Sequence, residues 1–264
     1  IAKEINSRNI KVIACGDLDQ LPPVFGESGY LVNGKIYILN KIMRQSEGSS
    51  IIQLAQRAKL GLPIHYGMYK NALVIHRSEL TDEMLKFDNN KMVICGKNST
   101  REYITKRIRE GILGITNSIP LFAEPIICRK NNWSLESNGI GLANGLIGTV
   151  SSSPDVSGFD GKTFTLGFSP YNMNAKFDNL KIDYQYFIAD FARKNILKHD
   201  RYSEGEKFDF AYCITTHLSQ GSQYPIGIYF EEYLNKDINN KLNYTGITRF
   251  SNKLIYVKPD KKFW

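Results

Sequence analysis

The chain predicts an α/β fold in which a parallel-sheet domain carries an inserted small β-barrel. Three observations lead there. Short continuous apolar runs at 10–15 (IKVIAC), 91–95 (KMVIC) and 226–230 (IGIYF) alternate with helical stretches, as expected of strands covered on both faces of a parallel sheet. From about Pro125 to Ser203 the texture changes: Gly, Asn, Ser and aromatic residues rise and helical periodicity fades. From Phe208 the strand–helix alternation returns, so the middle region reads as an insertion.

Residues Ile1 to Ser7 read as a helix tail feeding a central strand, Ile10 to Cys15. Ligands in open α/β sheets bind beyond the carboxyl ends of such strands, which puts Asp17, Asp19 and Gln20 at a candidate site. On a plain reading this is a strand before the Pro22-Pro23 turn, with the two acids merely solvated. Arg44-Gln45 follow an apolar run, Ile36 to Leu39. Residues 49–61 (SSIIQLAQRAKLG) predict a helix capped by Ser50, buried through Ile51, Leu54, Ala55 and Ala58, and ended by Gly61. After the strand Lys91 to Cys95, Ser99 and Glu102 have capping-box spacing and open a helix to about Arg109.

In the insertion, Pro125 to Cys128, Ile147 to Ser151, Lys162 to Phe168 and Tyr184 to Ile188 read as short strands. Arg193, Lys194, Lys198 and Arg201 form a basic cluster near its exit, a solvated face whose sign also suits phosphates. Phe208 to Ile214 reads as a buried strand, and a helix near Leu242 to Phe250 and a strand Lys253 to Val257 complete the alternation. The stretch AYCITTHLSQGSQY, Ala211 to Tyr224, is a hydroxyl- and amide-rich loop between apolar segments. It is either an ordinary polar connection or a ligand loop on a rigid base.

Composition narrows the classes. A chain of 264 residues favours about two domains. The net charge of +8 suits a polyanionic partner, nucleic acid first, although it also serves solubility. The four cysteines stand singly at the ends of apolar runs, which predicts buried strand thiols in a reducing, cytoplasmic setting. No C-x-x-C pair and no metal-ligand spacing of histidines occurs, so no metal ligands are assigned. No apolar run is long enough for a membrane span, and the N-terminus lacks the apolar core of a signal peptide.

Five segments stand in order: GDLDQLPPV (Gly16 to Val24), IMRQSEGSSII around Arg44, NGLIGTV (Asn144 to Val150), TTHLSQGSQ (Thr215 to Gln223) and YTGITR (Tyr244 to Arg249). Together they resemble motifs III to VI of a superfamily 1 DNA helicase of the RecD-like, 5′→3′ branch. The resemblance implies the end of a first RecA-like domain at 1–30, a second RecA-like domain at 31–125 and 206–264, and the barrel at 126–205. It implies ATP with Mg2+ as cofactor, bound mainly by an upstream part, and single-stranded DNA and duplex junctions as partners. Gln20 would sense the terminal phosphate, and Arg44 and Arg249 would reach it as planar, permanently charged forks. Gln220, Gly221, Ser222 and Gln223 would line the nucleotide. Thr216, His217, Ser219, Thr245 and Asn144 would meet DNA, with Asp17 coupling the two sites. Trp133, in RKNNW, is a candidate either to stack a base or to anchor the barrel.

The sequence departs from the family pattern at Leu218, where Lys or Arg is usual, at Leu146 in place of Asp, and at Gln223 in place of Glu. It contains no G-x-x-x-x-G-K-[ST] loop and no Asp-Glu pair ahead of Gly16. The expectation is therefore a C-terminal piece of a helicase, unable to hydrolyse ATP by itself. Two rivals stand beside it: a non-catalytic nucleic-acid-binding module, and the motor subunit of an exonuclease complex whose nuclease is a partner. The resemblance leaves the setting open among repair, recombination, conjugation and phage replication.

Overall fold

The computed structural model describes residues 7–8, 11, 13, 15–22, 37, 49–157, 159, 161–197, 204–236 and 238–259. Two sheets dominate it. The first has six strands in the order β1 (Gly67–Met68), β2 (Ala72–His76), β13 (Phe250–Lys258), β12 (Tyr224–Phe230), β3 (Lys91–Cys95) and β11 (Cys213–Thr215). All neighbours are parallel except the β1–β2 pair. The second has five antiparallel strands in the order β10 (Phe208–Phe210), β4 (Pro125–Cys128), β7 (Ile147–Asp155), β8 (Thr163–Pro170) and β9 (Phe177–Asp183). A separate hairpin joins β5 (Asn132–Ser137) to β6 (Ile140–Leu142).

The parallel sheet is covered on both faces, which is why its strands are continuously apolar. Along β12, Tyr229 joins the cluster containing Ile51, Leu54 and Ile247, while Ile228 and Phe230 on the other side join Ile104 and Ile108. The first face is roofed by the helices Ser50–Lys59 (α1) and Asn239–Ile247, the second by Asn98–Lys106 and its π-helical continuation Arg107–Ile112. The helix Asn239–Ile247 lies so close to the sheet that a Cβ on Gly246 would fall 2.0 Å from the Tyr229 ring. Glycine in YTGITR is thus a packing requirement. The Tyr229 hydroxyl meets Asn243 Oδ1 of the same helix at 2.9 Å.

The five-stranded sheet curls into the predicted barrel. Its edge strand β9 meets the chain just ahead of the opposite edge, β10, through a bridge between Ile182 and Glu206. Phe164, Phe168, Phe177, Phe187 and Phe208 fill it, with Phe168 and Phe208 in edge contact at 5.0 Å. One expected strand is wrong: Tyr184–Ile188 is a short helix, begun by Asp183, whose carboxylate accepts from the Tyr186 N–H at 2.9 Å. The strand lies just before it, at β9, where Phe177, Leu180 and Ile182 are buried. Asn179, with φ 53°, breaks the strict alternation that would have marked it.

The expected single strand Phe208 to Ile214 also divides. β10 belongs to the barrel, β11 to the parallel sheet, and Ala211-Tyr212 cross between them. Both sides of this crossing are held by buried ions. Asp209 accepts from Arg101 Nη1 at 2.5 Å and from Lys194 Nζ at 3.0 Å. Burial pushes the Asp209 carboxyl up, but the two cations outweigh it and hold the group below the usual carboxylate range. Lys194 therefore leaves the expected surface cluster, and Lys198 and Arg201 of that cluster lie outside the described residues. Nearby, Glu124 accepts from Arg109 Nε at 2.7 Å and from the Tyr212 hydroxyl at 2.7 Å.

Other expectations are corrected. Among 10–15, residues 11, 13 and 15 are described; none is in a strand, and Ile13 is 92 % exposed. An apolar run becomes a strand only by pairing, and no described strand pairs with it. Cys15 is accordingly exposed, whereas Cys95, Cys128 and Cys213 are buried. Ser50 does not cap α1 with its side chain; its N–H donates to Asn71 Oδ1 at 2.9 Å instead. The Ser99–Glu102 capping box does not form either. Glu232, beyond the end of β12, takes its place and accepts from the N–H groups of Gly96 and Lys97, both at 2.7 Å.

Replacing Asp209 by Asn leaves Arg101 and Lys194 buried with no carboxylate between them. The expected loss is about 3–5 kcal/mol of unfolding free energy, read from urea denaturation. The lowered carboxyl also sets a sign: its contribution is complete above the ordinary carboxylate range and disappears as pH falls through the depressed value. The wild-type advantage over the Asn variant should therefore shrink as pH falls below the ordinary carboxylate range.

Candidate nucleotide and nucleic-acid interface

The loop after β11 is built by its own hydroxyls. The Thr216 N–H and Oγ1 both donate to the Cys95 carbonyl, at 2.8 and 3.1 Å, tying the loop to the carboxyl end of β3. The Ser219 N–H donates to the Thr215 carbonyl at 3.0 Å and its hydroxyl to the Thr216 carbonyl at 2.8 Å. This winds the chain into a tight turn that returns toward the amino end of β12. Gly221 passes with φ 84°, open to space, and the Tyr224 N–H then donates to the Arg249 carbonyl at 2.8 Å.

Arg249 follows the helix Asn239–Ile247 and is only 2 % exposed. Among the described residues its guanidinium donates to neutral oxygens that include Thr245 O at 3.1 Å, Ser222 O at 3.2 Å, Thr248 Oγ1 at 3.2 Å and Gln20 Oε1 at 3.4 Å. The last contact spans most of the chain. It is one of several that seat residues 17–21 on this face. The Leu21 N–H donates to Thr245 Oγ1 at 2.9 Å, and Gln220 Nε2 donates to the Leu21 carbonyl at 2.8 Å. The Tyr244 hydroxyl meets Asp17 Oδ2 at 3.3 Å, and Gln20 Nε2 meets the same oxygen at 3.1 Å. Lys59 of α1 pairs with Asp19. Burial first, and the Asp17 charge second, push the Tyr244 hydroxyl up to about 12, so it stays a donor.

The structure thus gathers Asp17, Gln20, Gln220, Ser222, Thr245 and Arg249, which the sequence had nominated from separate segments. Arg44 lies outside the described residues. Thr216, Ser219 and Thr245 are fully buried, with their hydroxyls engaged inside the chain. They order the loop and the docked segment rather than projecting from it. His217 is half-buried, and burial lowers its imidazole below the usual value, favouring the neutral ring. Gly221 and Gln223 are exposed, as is Asn144, which sits apart at the foot of the β5–β6 hairpin with its N–H on Asn131 Oδ1 at 2.7 Å.

Sequence reasoning missed Tyr244, Lys59 and Glu232. Tyr244 had a signal, since it opens YTGITR, but its partner Asp17 is 227 residues away. Lys59 and Glu232 had none, because nothing local distinguishes them from surface charges. Among the described residues no three His, Cys, Asp or Glu side chains cluster as a metal site.

Replacing Thr245 by Val keeps the shape but strands the Leu21 N–H. Amide exchange through residues 15–22 should accelerate by roughly five- to a hundredfold, the equivalent of about 1–3 kcal/mol for an unpaired group, with the β12 and β13 amides unchanged. For His217, the proton resonance should titrate below pH 6.5; because the unfolded ring binds its proton more readily, its contribution to stability falls as pH drops through the ordinary imidazole range.

No family model matches the sequence, and no curated protein matches it. Solved structures do. The chain is similar to the Pif1 helicase from Candida albicans, with a TM-score of 0.51 and 13% identity, over 94% of this chain and 64% of that one. It also aligns with the Pif1 helicase from Bacteroides solved in complex with ADP-AlF3 and ssDNA, with a TM-score of 0.49 and 16% identity, over 91% of this chain and 60% of that one. The chain thus spans less than two thirds of the length of either. At this identity the Candida match shows the fold: a mixed α/β chain whose parallel sheet matches the RecA-like domains of helicases.

Proposed function

We propose that the chain is the C-terminal part of an ATP-dependent DNA helicase of superfamily 1, moving 5′→3′ along single-stranded DNA. The observation that carries this is the meeting of Gln20 with Arg249 while the Leu21 backbone is held by Gln220 and Thr245. A phosphate sensor needs an amide and a guanidinium facing one position, connected to an element that moves when the phosphate leaves. Residues 17–21 have that connection, and their motif resembles the one that carries it in these helicases.

On this reading Arg249 exchanges its neutral contacts to Gln20 and Ser222 for oxygens of the terminal phosphate. Charge-assisted bonds to phosphate are shorter and stronger than the bonds they replace. Arg44 is the second cation. Gln20 turns toward the phosphate or the attacking water, and Gly221, Ser222 and Gln223 border the nucleotide. The residues present fit the outer side of a nucleotide site, with cationic and amide donors. On this reading a phosphate loop and the carboxylates for Mg2+ would come from a segment outside these residues, and ATP with Mg2+ would supply the driving reaction there. His217, neutral near pH 7, offers a hydrogen bond rather than a charge to the DNA backbone, and Asn144 a second contact from the barrel side. The partners are single-stranded DNA and duplex junctions, with a replication, repair or nuclease complex as the assembly. The RecD-like branch is the finer assignment within this reading.

A second reading, a non-catalytic nucleic-acid-binding module, draws on the lack of a phosphate loop within these 264 residues. Arg249 separates the two. In the polypeptide joined to a phosphate-loop domain, Arg249→Ala should lower DNA-stimulated ATP turnover by about 10³-fold or more and leave single-strand affinity within a few fold. A binding module gives no turnover in either protein. DNA-stimulated hydrolysis by the 264 residues alone would contradict the assignment of the phosphate loop to an upstream part.

A further inference from the structure

We infer that the face of Trp133 is a stacking site for an unpaired nucleobase, an inference that rests on the nucleic-acid reading above. Trp133 begins the β5–β6 hairpin, which stands outside the five-stranded barrel. It is not the barrel anchor: 69 % of its surface is exposed, and the barrel core closes without it. Its neighbour Leu135 packs on that core, so the hairpin is seated through Leu135 and Leu142 while the indole stays out.

The ring is held close to the opposite strand of the hairpin. A Cβ on Gly141, across the hairpin, would fall 2.8 Å from Trp133 Cε3 and 3.2 Å from Cζ3. The indole therefore lies over a strand position that has no side chain. The Cε3–Cζ3 edge of the ring lies against that position, and most of the residue's surface is open to solvent. A two-stranded hairpin is marginal alone, and a ring over a glycine helps to hold it. That accounts for the ring edge at Gly141 and leaves the exposed surface of the indole without a structural task.

The surroundings suit a single strand. Lys130 is exposed three residues before the ring. Asn131, between them, accepts from the N–H of Asn144, so the hairpin foot and the exposed amide of Asn144 are tied together. Asn132 is turned away, donating to Glu206 at 2.7 Å. With Glu136 exposed on the same hairpin, local charge is nearly balanced, so the ring contributes stacking more than attraction to phosphate. A base in a duplex is already stacked on both faces and cannot use such a ring; an unpaired base can.

The experiment uses the two tryptophans of the chain. In a Trp264→Phe background Trp133 is the sole indole, and its fluorescence is followed while an oligothymidine of about 16 nucleotides is added, with binding read independently by anisotropy of an end label. The expected result is quenching that tracks binding, no quenching by a duplex of equal length, and an affinity loss of roughly tenfold in Trp133→Ala, within a range of about 5- to 150-fold. Trp133→Phe should recover part of that loss. The salt slope of log affinity should be unchanged, because no phosphate contact is removed. Gly141→Ala, which pushes the ring aside and keeps it, should reduce the quenching with both strands of the hairpin intact. Binding by anisotropy with no quenching, or with Trp133→Ala at full affinity, would overturn the stacking site and leave the helicase reading standing. No binding to any single strand would overturn both.

Discussion

Asp209 has 5 % of its surface exposed and lies between Arg101 of the parallel-sheet domain and Lys194 of the barrel side. Taking one carboxylate and two cations out of water is costly, and geometry must offset it. Here the strand order does so. β10 ends the barrel, β11 enters the parallel sheet, and only Ala211-Tyr212 separate them. A carboxylate on β10 is thereby within reach of both bodies, and Glu124 with Arg109 and Tyr212 closes the other flank. The barrel is inserted in sequence but locked in space.

The same crossing positions the loop. Because β11 is short and pinned to β3, Thr216 begins its turn at a fixed height above the sheet, and the chain has eight residues, 216–223, to return to the amino end of β12. The amide and hydroxyl bonds of Thr216 to the Cys95 carbonyl, and those of Ser219 to Thr215 and Thr216, make that return tight. Arg249 is delivered to the same edge by a helix that Gly246 allows to sit on Tyr229. The placement of Arg249, Gln220 and Ser222 therefore depends on backbone geometry set by buried residues, and the docked segment 17–21 reads out that geometry.

Much of this was legible in the sequence. Lys91–Cys95 and Pro125–Cys128 matched residue for residue, because a buried strand of this kind is a local property of composition. The buried face of α1 was legible from its spacing for the same reason. What failed depended on partners. The run 10–15 has the composition of a strand but no described neighbour to pair with. The Phe208 to Ile214 run looked continuous because both sheets demand apolar residues, and only topology reveals that it changes sheet. At the site, residue types were readable and orientations were not. Thr216, Ser219 and Thr245 have the right hydroxyls for a backbone ligand, yet the fold uses each one internally, a choice that depends on carbonyls and amides up to 224 residues away.

The central claim is that residues 17–21 dock on the face made by Lys59, Gln220, Tyr244, Thr245 and Arg249. The most direct measurement is a cross-link across its edge. In a Cys15→Ser background, Asp19→Cys with Lys59→Cys puts one thiol on each side of the ion pair, which a bis-maleimide linker of about the length of the lysine side chain should join. The account predicts near-complete cross-linking in the folded chain, slowed strongly in urea. A folded chain that leaves these thiols unjoined, or joins them no faster than an unfolded one, would contradict it.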